Sequence, residues 1–174
     1  MRKQTFSWMI MTVLFISATI SQKAFSQKQA KANRDTKNWR YEIECAGIGN
    51  EGTYMIKVWS YSKRASIATN QAKKNAVHGV IFQGFAGGGQ GCTSQRPLAS
   101  SPSVEDEHAE FFDDFFADGG KYMKYVGSAN DGAGSDVVKV GKEYKVGVIV
   151  SVLKDNLRKD LEAAGIIKRL DSGF

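Results

Sequence analysis

The acidic residues of one short segment are the groups in this sequence that could most readily do chemistry. Residues 105–107 are Glu, Asp and Glu, and Asp113 and Asp114 follow. Two carboxyl groups that face each other across a cleft can hydrolyse a glycosidic bond. Neighbouring residues of one helix point in different directions, so this spacing does not by itself form such a pair. A small secreted hydrolase using dispersed carboxylates therefore stays the alternative interpretation, with Asp113 and Glu110 as its first candidates.

Nucleophiles and bases are scarce in the sequence. It contains two histidines, His78 and His108, and no G-x-S-x-G segment. His78 falls on the polar side of a predicted helix and is expected to face solvent. His108 has no second histidine or cysteine at ligand spacing, so we predict no metal role for it. The sequence thus predicts no catalytic residue, and it favours a non-catalytic role over the alternative of an enzyme.

A glycine run at residues 87–91 invites comparison with phosphate-binding loops. Such loops follow a strand and open a helix. Here the glycines follow a predicted helix and lead into a serine-rich stretch. We therefore predict a flexible surface loop over residues 84–101, and no cofactor.

Two cysteines, Cys45 and Cys92, are the only ones in the chain. In an exported protein an even number of cysteines permits one disulfide. That bond would tie the first predicted strand to the central loop. Two separate buried thiols are the alternative, and two cysteines at this spacing do not make a metal site.

The amino-terminal residues have the order of a secretory signal peptide. Arg2 and Lys3 precede a largely apolar run over residues 8–20, and Ala24-Phe25-Ser26 is small at both ends. The run is shorter than the roughly 20 residues of a membrane span. We predict a signal peptide over residues 1–26, export to the periplasm or the cell exterior, and no transmembrane span after cleavage. An uncleaved anchor is the alternative.

The charge of the chain is modest once the signal peptide is removed. The net charge of +6 falls to +3, because Arg2, Lys3 and Lys23 leave and no acid leaves. Such a balance does not indicate a nucleic-acid partner, which usually selects a concentrated basic patch. Residues 27–38 are basic and lack large apolar side chains, so we predict a flexible leader. Residues 39–174 have the length of one domain.

Hydrophobic periodicity predicts an α+β fold, with an antiparallel or mixed sheet of about five strands and helices packed largely on one face. Small residues of the first helix form a stripe that could approach a sheet closely, and Gly147 would give it room. The stripe consists of Ala65, Ala68, Ala72, Ala76 and Gly79. The predicted strands cover residues 39–45, 53–61, 121–126, 137–140 and 143–152, and the predicted helices cover residues 65–82, 103–117 and 155–164. We expect the last two strands to form a hairpin around residues 141–142, and Gly165 to end the last helix in a Schellman motif.

Four phenylalanines share one face of the second predicted helix. Burial of each would contribute about 1.5–3 kcal/mol. We expect them in the core, and a docking helix for an envelope protein partner is the alternative. They are Phe111, Phe112, Phe115 and Phe116.

The chain contains a predicted hairpin, then an alanine-rich helix with Ala72-Lys73-Lys74-Asn75-Ala76 at its middle, and finally a strand with the sequence YKVGVIV. Over residues 53–152 it resembles a group of small bacterial envelope domains, which includes surface lipoproteins and the amino-terminal domain of a flagellar-assembly accessory protein. The lipid-accepting cysteine of the lipoproteins is missing here. The resemblance implies a non-catalytic role in binding or assembly at the cell envelope, without a cofactor, and it supplies no site residues. Oligomeric state is not predicted.

Overall fold

The computed structural model of the protein describes residues 38–47, 49–88, 91–128 and 136–170. The predicted signal peptide and almost all of the predicted leader lie outside the described residues. The elements in chain order are β1 (Tyr41–Gly47), β2 (Tyr54–Ser62), α1 (Ala65–Phe82), α2 (Ser103–Glu107), α3 (Ala109–Phe115), a 3₁₀ helix (Lys121–Tyr125), β3 (Val126–Ser128), β4 (Asp136–Val140), β5 (Glu143–Val152) and α4 (Lys154–Ala163).

The five strands form one antiparallel sheet, which confirms the predicted α+β class. β1 pairs with β2 and β2 pairs with β5. β3 and β4 both pair with the remaining edge of β5, β4 along its first half and β3 at its end. The predicted hairpin around residues 141–142 is therefore present, because β4 and β5 are joined there.

One face of the sheet forms the core with α1. The side chains of Ile56 and Val58 on β2 are fully buried, as are those of Val146 and Val150 on β5. Successive residues of a strand point to opposite faces, so these alternate residues all meet the helix. Ala68, Ala72 and Ala76 of the small-residue stripe are also fully buried, and α1 packs against β2 and β5. The predicted close packing of α1 on the sheet is confirmed.

The other side of α1 is buried as well, and the prediction that it faces solvent was wrong. Gln71, Lys74 and His78 are between 3% and 5% exposed. Residues 111–116, which we call the phenylalanine-rich segment, cover this side. The ring centroids of Phe82 on α1 and Phe112 in this segment lie 5.0 Å apart. Burial of the Lys74 ammonium lowers its pKa to about 8. A second layer of the protein thus lies over the polar side of the helix.

Gly147 does not face α1, contrary to expectation. A Cβ at this position would lie 2.8 Å from the Cζ3 atom of Trp59, on the face of the sheet away from the helix. The glycine that allows close packing on the helix side is Gly79 of α1, where a Cβ would lie 2.8 Å from Cδ1 of Ile43. The sequence pattern correctly placed Gly147 within β5, but it did not predict that the glycine makes room for Trp59 on the face away from α1.

Two further elements differ from the predictions. The predicted strand over residues 121–126 is a 3₁₀ helix up to Tyr125, and only Val126 begins a strand. Residues three apart lie on one side of a 3₁₀ helix, so Tyr122 and Tyr125 are both buried. The predicted helix over residues 103–117 is interrupted at His108, where the backbone leaves helical geometry.

The four phenylalanines lie on or just after α3. Phe112, Phe115 and Phe116 are between 2% and 6% exposed and belong to the hydrophobic core, whereas Phe111 is half-buried. The expected core location therefore holds for three of them. A docking role for this segment stays a prediction, and Phe111 is its most accessible member.

Cys45 and Cys92 form the disulfide that the sequence allowed, across 47 positions of the chain. The bond holds the outer part of the glycine-rich loop against the end of the β1–β2 hairpin. At the other end of the chain, Gly165 has a φ of +71° after α4. The Ile166 N–H donates to the carbonyl oxygen of Leu161, so α4 has the predicted Schellman ending. Among the described residues, no helix has both the length and the apolarity needed to cross a membrane.

Candidate functional site

The face of the sheet opposite α1 carries the densest set of polar and aromatic side chains. Residues paired directly across strands share a face, so the partners of Trp59 and Lys57 can be identified from the strand register. Trp59 lies opposite Glu42 on β1 and Gly147 on β5, and Lys57 lies opposite Glu44. We call this surface the outer face.

Cations and aromatic rings alternate along the outer face. The Nζ atom of Lys57 lies 4.4 Å from the ring centroid of Trp59, and Nζ of Lys145 lies 4.9 Å from the same ring. Lys145 is also 5.6 Å from the ring of Tyr61, and Arg40 lies 4.6 Å over that ring. These distances are typical of cation–π contacts, each worth about 0.5–1 kcal/mol at an exposed site. We call these five residues the cation–aromatic ladder.

Each cation of the ladder also has a carboxylate partner. Arg40 and Glu143 are 2.7 Å apart, as are Lys145 and Glu42. Lys57 forms an ion pair with Asp136 of β4. The ladder is therefore flanked by acceptors on neighbouring strands, and donors and acceptors lie side by side across the whole face.

Hydrogen bonds to the aromatic residues complete this arrangement. The indole N–H of Trp59 donates to Oε1 of Glu44 over 2.8 Å, and the Tyr61 hydroxyl donates to Glu42. The hydrogen bond from Lys145, with the one from Tyr61, lowers the pKa of Glu42. The absence of a side chain at Gly147 leaves room for the six-membered ring of Trp59. The orientations of both rings are thus fixed before any ligand binds.

A second polar cluster lies on the other side of the sheet and is buried. The Tyr41 hydroxyl lies 2.6 Å from Nδ1 of His78, and Nε2 of His78 lies 3.1 Å from Oε2 of Glu105. The indole of Trp39 stacks on the imidazole with centroids 3.5 Å apart. Both ring nitrogens of His78 are engaged, so this histidine links β1, α1 and α2 and is not free to act as a base. Burial lowers the pKa of His78 below its ordinary value of 6.5.

We expect the stability of the protein to fall as the pH drops below about 6.5. The unfolded chain takes up a proton at His78 there, whereas the folded chain keeps the imidazole neutral until a lower pH. Stability from this site is complete above the unfolded pKa and decreases as the pH approaches the folded one. Urea unfolding at pH 7.5 and pH 5 measures the difference. The same drop in the His78→Gln variant would assign the effect to other groups.

The other residues considered in the sequence analysis do not assemble a catalytic centre. Asp113 and Glu110 are exposed on α3, and the two cysteines are bonded to each other. A shallow cavity of about 160 Å³ lies beside the disulfide, between Tyr54 and Phe85. It is smaller than the roughly 300 Å³ at which small-molecule sites begin. Within the described residues no group of three His, Cys, Asp or Glu side chains could hold a metal ion.

No protein-family model matches the chain, and searches of curated proteins and of solved structures give no match either. Among the described residues, the outer face is the strongest candidate for a functional site, because it combines partly exposed aromatic rings, cations and carboxylates. Sequence patterns alone did not predict a site on this face. Its signal was present in β2, where Lys57, Trp59 and Tyr61 alternate with buried residues.

Proposed function

We propose that the protein is an exported, non-catalytic binding domain of a bacterial cell envelope, and that the outer face binds a glycan of the cell wall. The observation that supports this proposal most directly is the cation–aromatic ladder with its flanking carboxylates. The disulfide supports an oxidising compartment, because such bonds persist mainly outside the cytosol. The order of charged, apolar and small residues over residues 1–26, typical of a signal peptide, supports export.

The charges of the outer face favour a sugar over a polyanion. Three cations are matched by carboxylates, and Glu44 adds one further acid. A nucleic acid or an acidic polymer would be repelled by these carboxylates as much as it is attracted by the cations. Sugar hydroxyls both donate and accept hydrogen bonds, so they suit a surface on which donors and acceptors alternate. A cell-wall glycan with attached peptides also carries groups of both charge signs.

The aromatic rings supply the apolar part of the contact. Trp59 and Tyr61 are half-buried and held in place by Glu44 and Glu42, so little side-chain entropy is lost when a ligand packs on them. Tyrosine and tryptophan combine an apolar ring with a polar group, which makes them frequent contributors to binding energy. The C–H groups of a pyranose ring can pack against the parts of these rings that the ammonium groups leave open.

Co-sedimentation with isolated peptidoglycan sacculi tests this function. The protein should sediment with the sacculi, and Trp59→Ala should weaken binding about 30-fold, because a central aromatic residue contributes about 2 kcal/mol or more. Met123→Ala is the matched control, since Met123 is exposed and lies on the 3₁₀ helix, outside the outer face. No binding of the unaltered protein, or equal binding of Trp59→Ala, would refute the proposal.

A further inference from the structure

The edge strand β4 exposes an unusual amount of apolar surface. All five of its residues are exposed, and Val137, Val138 and Val140 are 51%, 49% and 47% exposed. Among the described residues β4 pairs only with β5. Its other edge therefore presents backbone N–H and C=O groups that no described strand satisfies.

The position of β4 explains why both of its faces are exposed. Val137 is paired with Val146, which is fully buried against α1. The helix packs on β2 and β5, however, so Val137, one strand further out, lies beyond its cover. Val138 and Val140 lie on the outer face, where no described helix covers the sheet. Among the described residues, the apolar side chains of β4 are thus uncovered on both faces of the sheet.

The opposite edge of the sheet is protected in ways that β4 is not. β1 carries Glu42 and Glu44, and its register is interrupted by a bulge between Cys45 and Gly47. Charges and bulges are the usual means by which proteins prevent an edge strand from pairing with another chain. β4 also carries two charged residues, Asp136 and Lys139, but no bulge interrupts its register with β5, and its other three residues are valines.

We propose that β4 pairs antiparallel with β4 of a second copy of this chain, about a two-fold axis that passes through Val138. Directly opposed residues of an antiparallel pair share a face, so the axis must pass through a residue position of the strand. When the two-fold axis passes through Val138, all five residues of β4 are paired, and Val138 lies opposite Val138 of the second copy. Lys139 then lies opposite Val137. Centring on Lys139 would instead bring two like charges together.

A second copy is favoured over an unrelated peptide because the pairing is isologous and closes on itself. The same five residues satisfy the edge of both chains, and no unpaired edge remains at the contact. Asp136 keeps its ion pair with Lys57, since that contact is made on the face of the sheet and not at its edge. The two outer faces would become one continuous surface carrying two ladders. This consequence rests on the proposed function: if each outer face binds a glycan, the joined surface would bind a repeating polymer with increased avidity.

The strand pair is short, so the dimer should be weak. Five residues on each side bury less than the roughly 1,200 Å² of a standard stable interface. Sedimentation velocity of the disulfide-bonded protein without ligand should show monomer at low micromolar concentration and an increasing dimer fraction toward the millimolar range. Val138→Lys should abolish the dimer, because two ammonium groups would then face each other at the axis. Met123→Lys is the control, since Met123 has the same 49% exposure and lies outside β4.

Cysteine cross-linking tests the register and does not depend on the stability of the lysine variant. Opposed residues in an antiparallel pair are close enough for a disulfide between chains. Under mild oxidation Val138→Cys should form a covalent dimer, whereas Val140→Cys should not, because Val140 lies opposite Asp136 of the second copy. A monomer at every concentration would overturn the proposal, as would a dimer that Val138→Lys leaves intact. Because sacculi are absent, failure here is distinct from failure of glycan binding.

Discussion

Replacing Phe115 with alanine should lower the free energy of unfolding by about 3–5 kcal/mol. The Phe115 side chain is 2% exposed, and its ring stacks on those of Phe111 and Tyr125 with centroids 5.6 Å and 5.9 Å apart. Alanine would remove these contacts and leave a cavity that the surrounding rings fill only in part. A loss of this size is a large fraction of the stability of an ordinary domain.

Urea unfolding followed by circular dichroism measures this loss, with Phe111→Ala as the matched control. Phe111 is half-buried on the same helix, so its truncation should cost clearly less than that of Phe115. Unchanged unfolding of Phe115→Ala together with loss of an envelope partner would contradict the core assignment. It would favour the interpretation of α3 as a docking helix.

Removing the disulfide should also destabilise the protein strongly, by about 4 kcal/mol for a loop closed across 47 positions. The bond limits the conformations of the unfolded chain, and in the folded chain it anchors the glycine-rich loop to β1. The double variant Cys45→Ser with Cys92→Ser should therefore unfold at a much lower urea concentration. Its circular dichroism before unfolding should stay close to that of the unaltered protein, because neither cysteine belongs to the buried core cluster and only Cys45 packs against it.

Reduction of the unaltered protein provides the control for the serine substitutions. Both samples should lose the same stability if the covalent link is the cause. A loss below about 1 kcal/mol in both would mean that the loop is held by its own hydrogen bonds. The candidates are the Phe85–Gln95 bridge and the Leu98 N–H donating to the carbonyl oxygen of Val80.

The sequence by itself predicted the features that depend on neighbouring residues. β1 was predicted because its apolar residues alternate with charged ones, with the period of two that follows from strand geometry. β2 was predicted from its aromatic and β-branched residues and β5 from its hydrophobicity. The β4–β5 hairpin and the Schellman ending at Gly165 were found because turns and helix ends require particular residues at particular positions. For Cys45 and Cys92 the sequence left two possibilities, a disulfide between them or two separate buried thiols, because the chain contains only these two cysteines.

Only the tertiary structure decided which surfaces are covered. The polar row of α1 has the spacing of a solvent-facing side, yet His78 is buried because Trp39 and the phenylalanine-rich segment pack over it. The segment around Tyr122 became a 3₁₀ helix because two tyrosines three positions apart both entered the core. Local patterns cannot anticipate a second layer contributed by distant residues.

The candidate site on the outer face also depends on the tertiary structure. Lys145 and Glu42 are separated by 103 positions, and they meet only because β2 lies between β1 and β5 in the sheet. The sequence could show that Trp59 and Tyr61 share one face of a strand, since that depends on local alternation. The cations that flank their rings, and the exposure of β4 at the edge, are set by strand order, and strand order depends on long-range pairing.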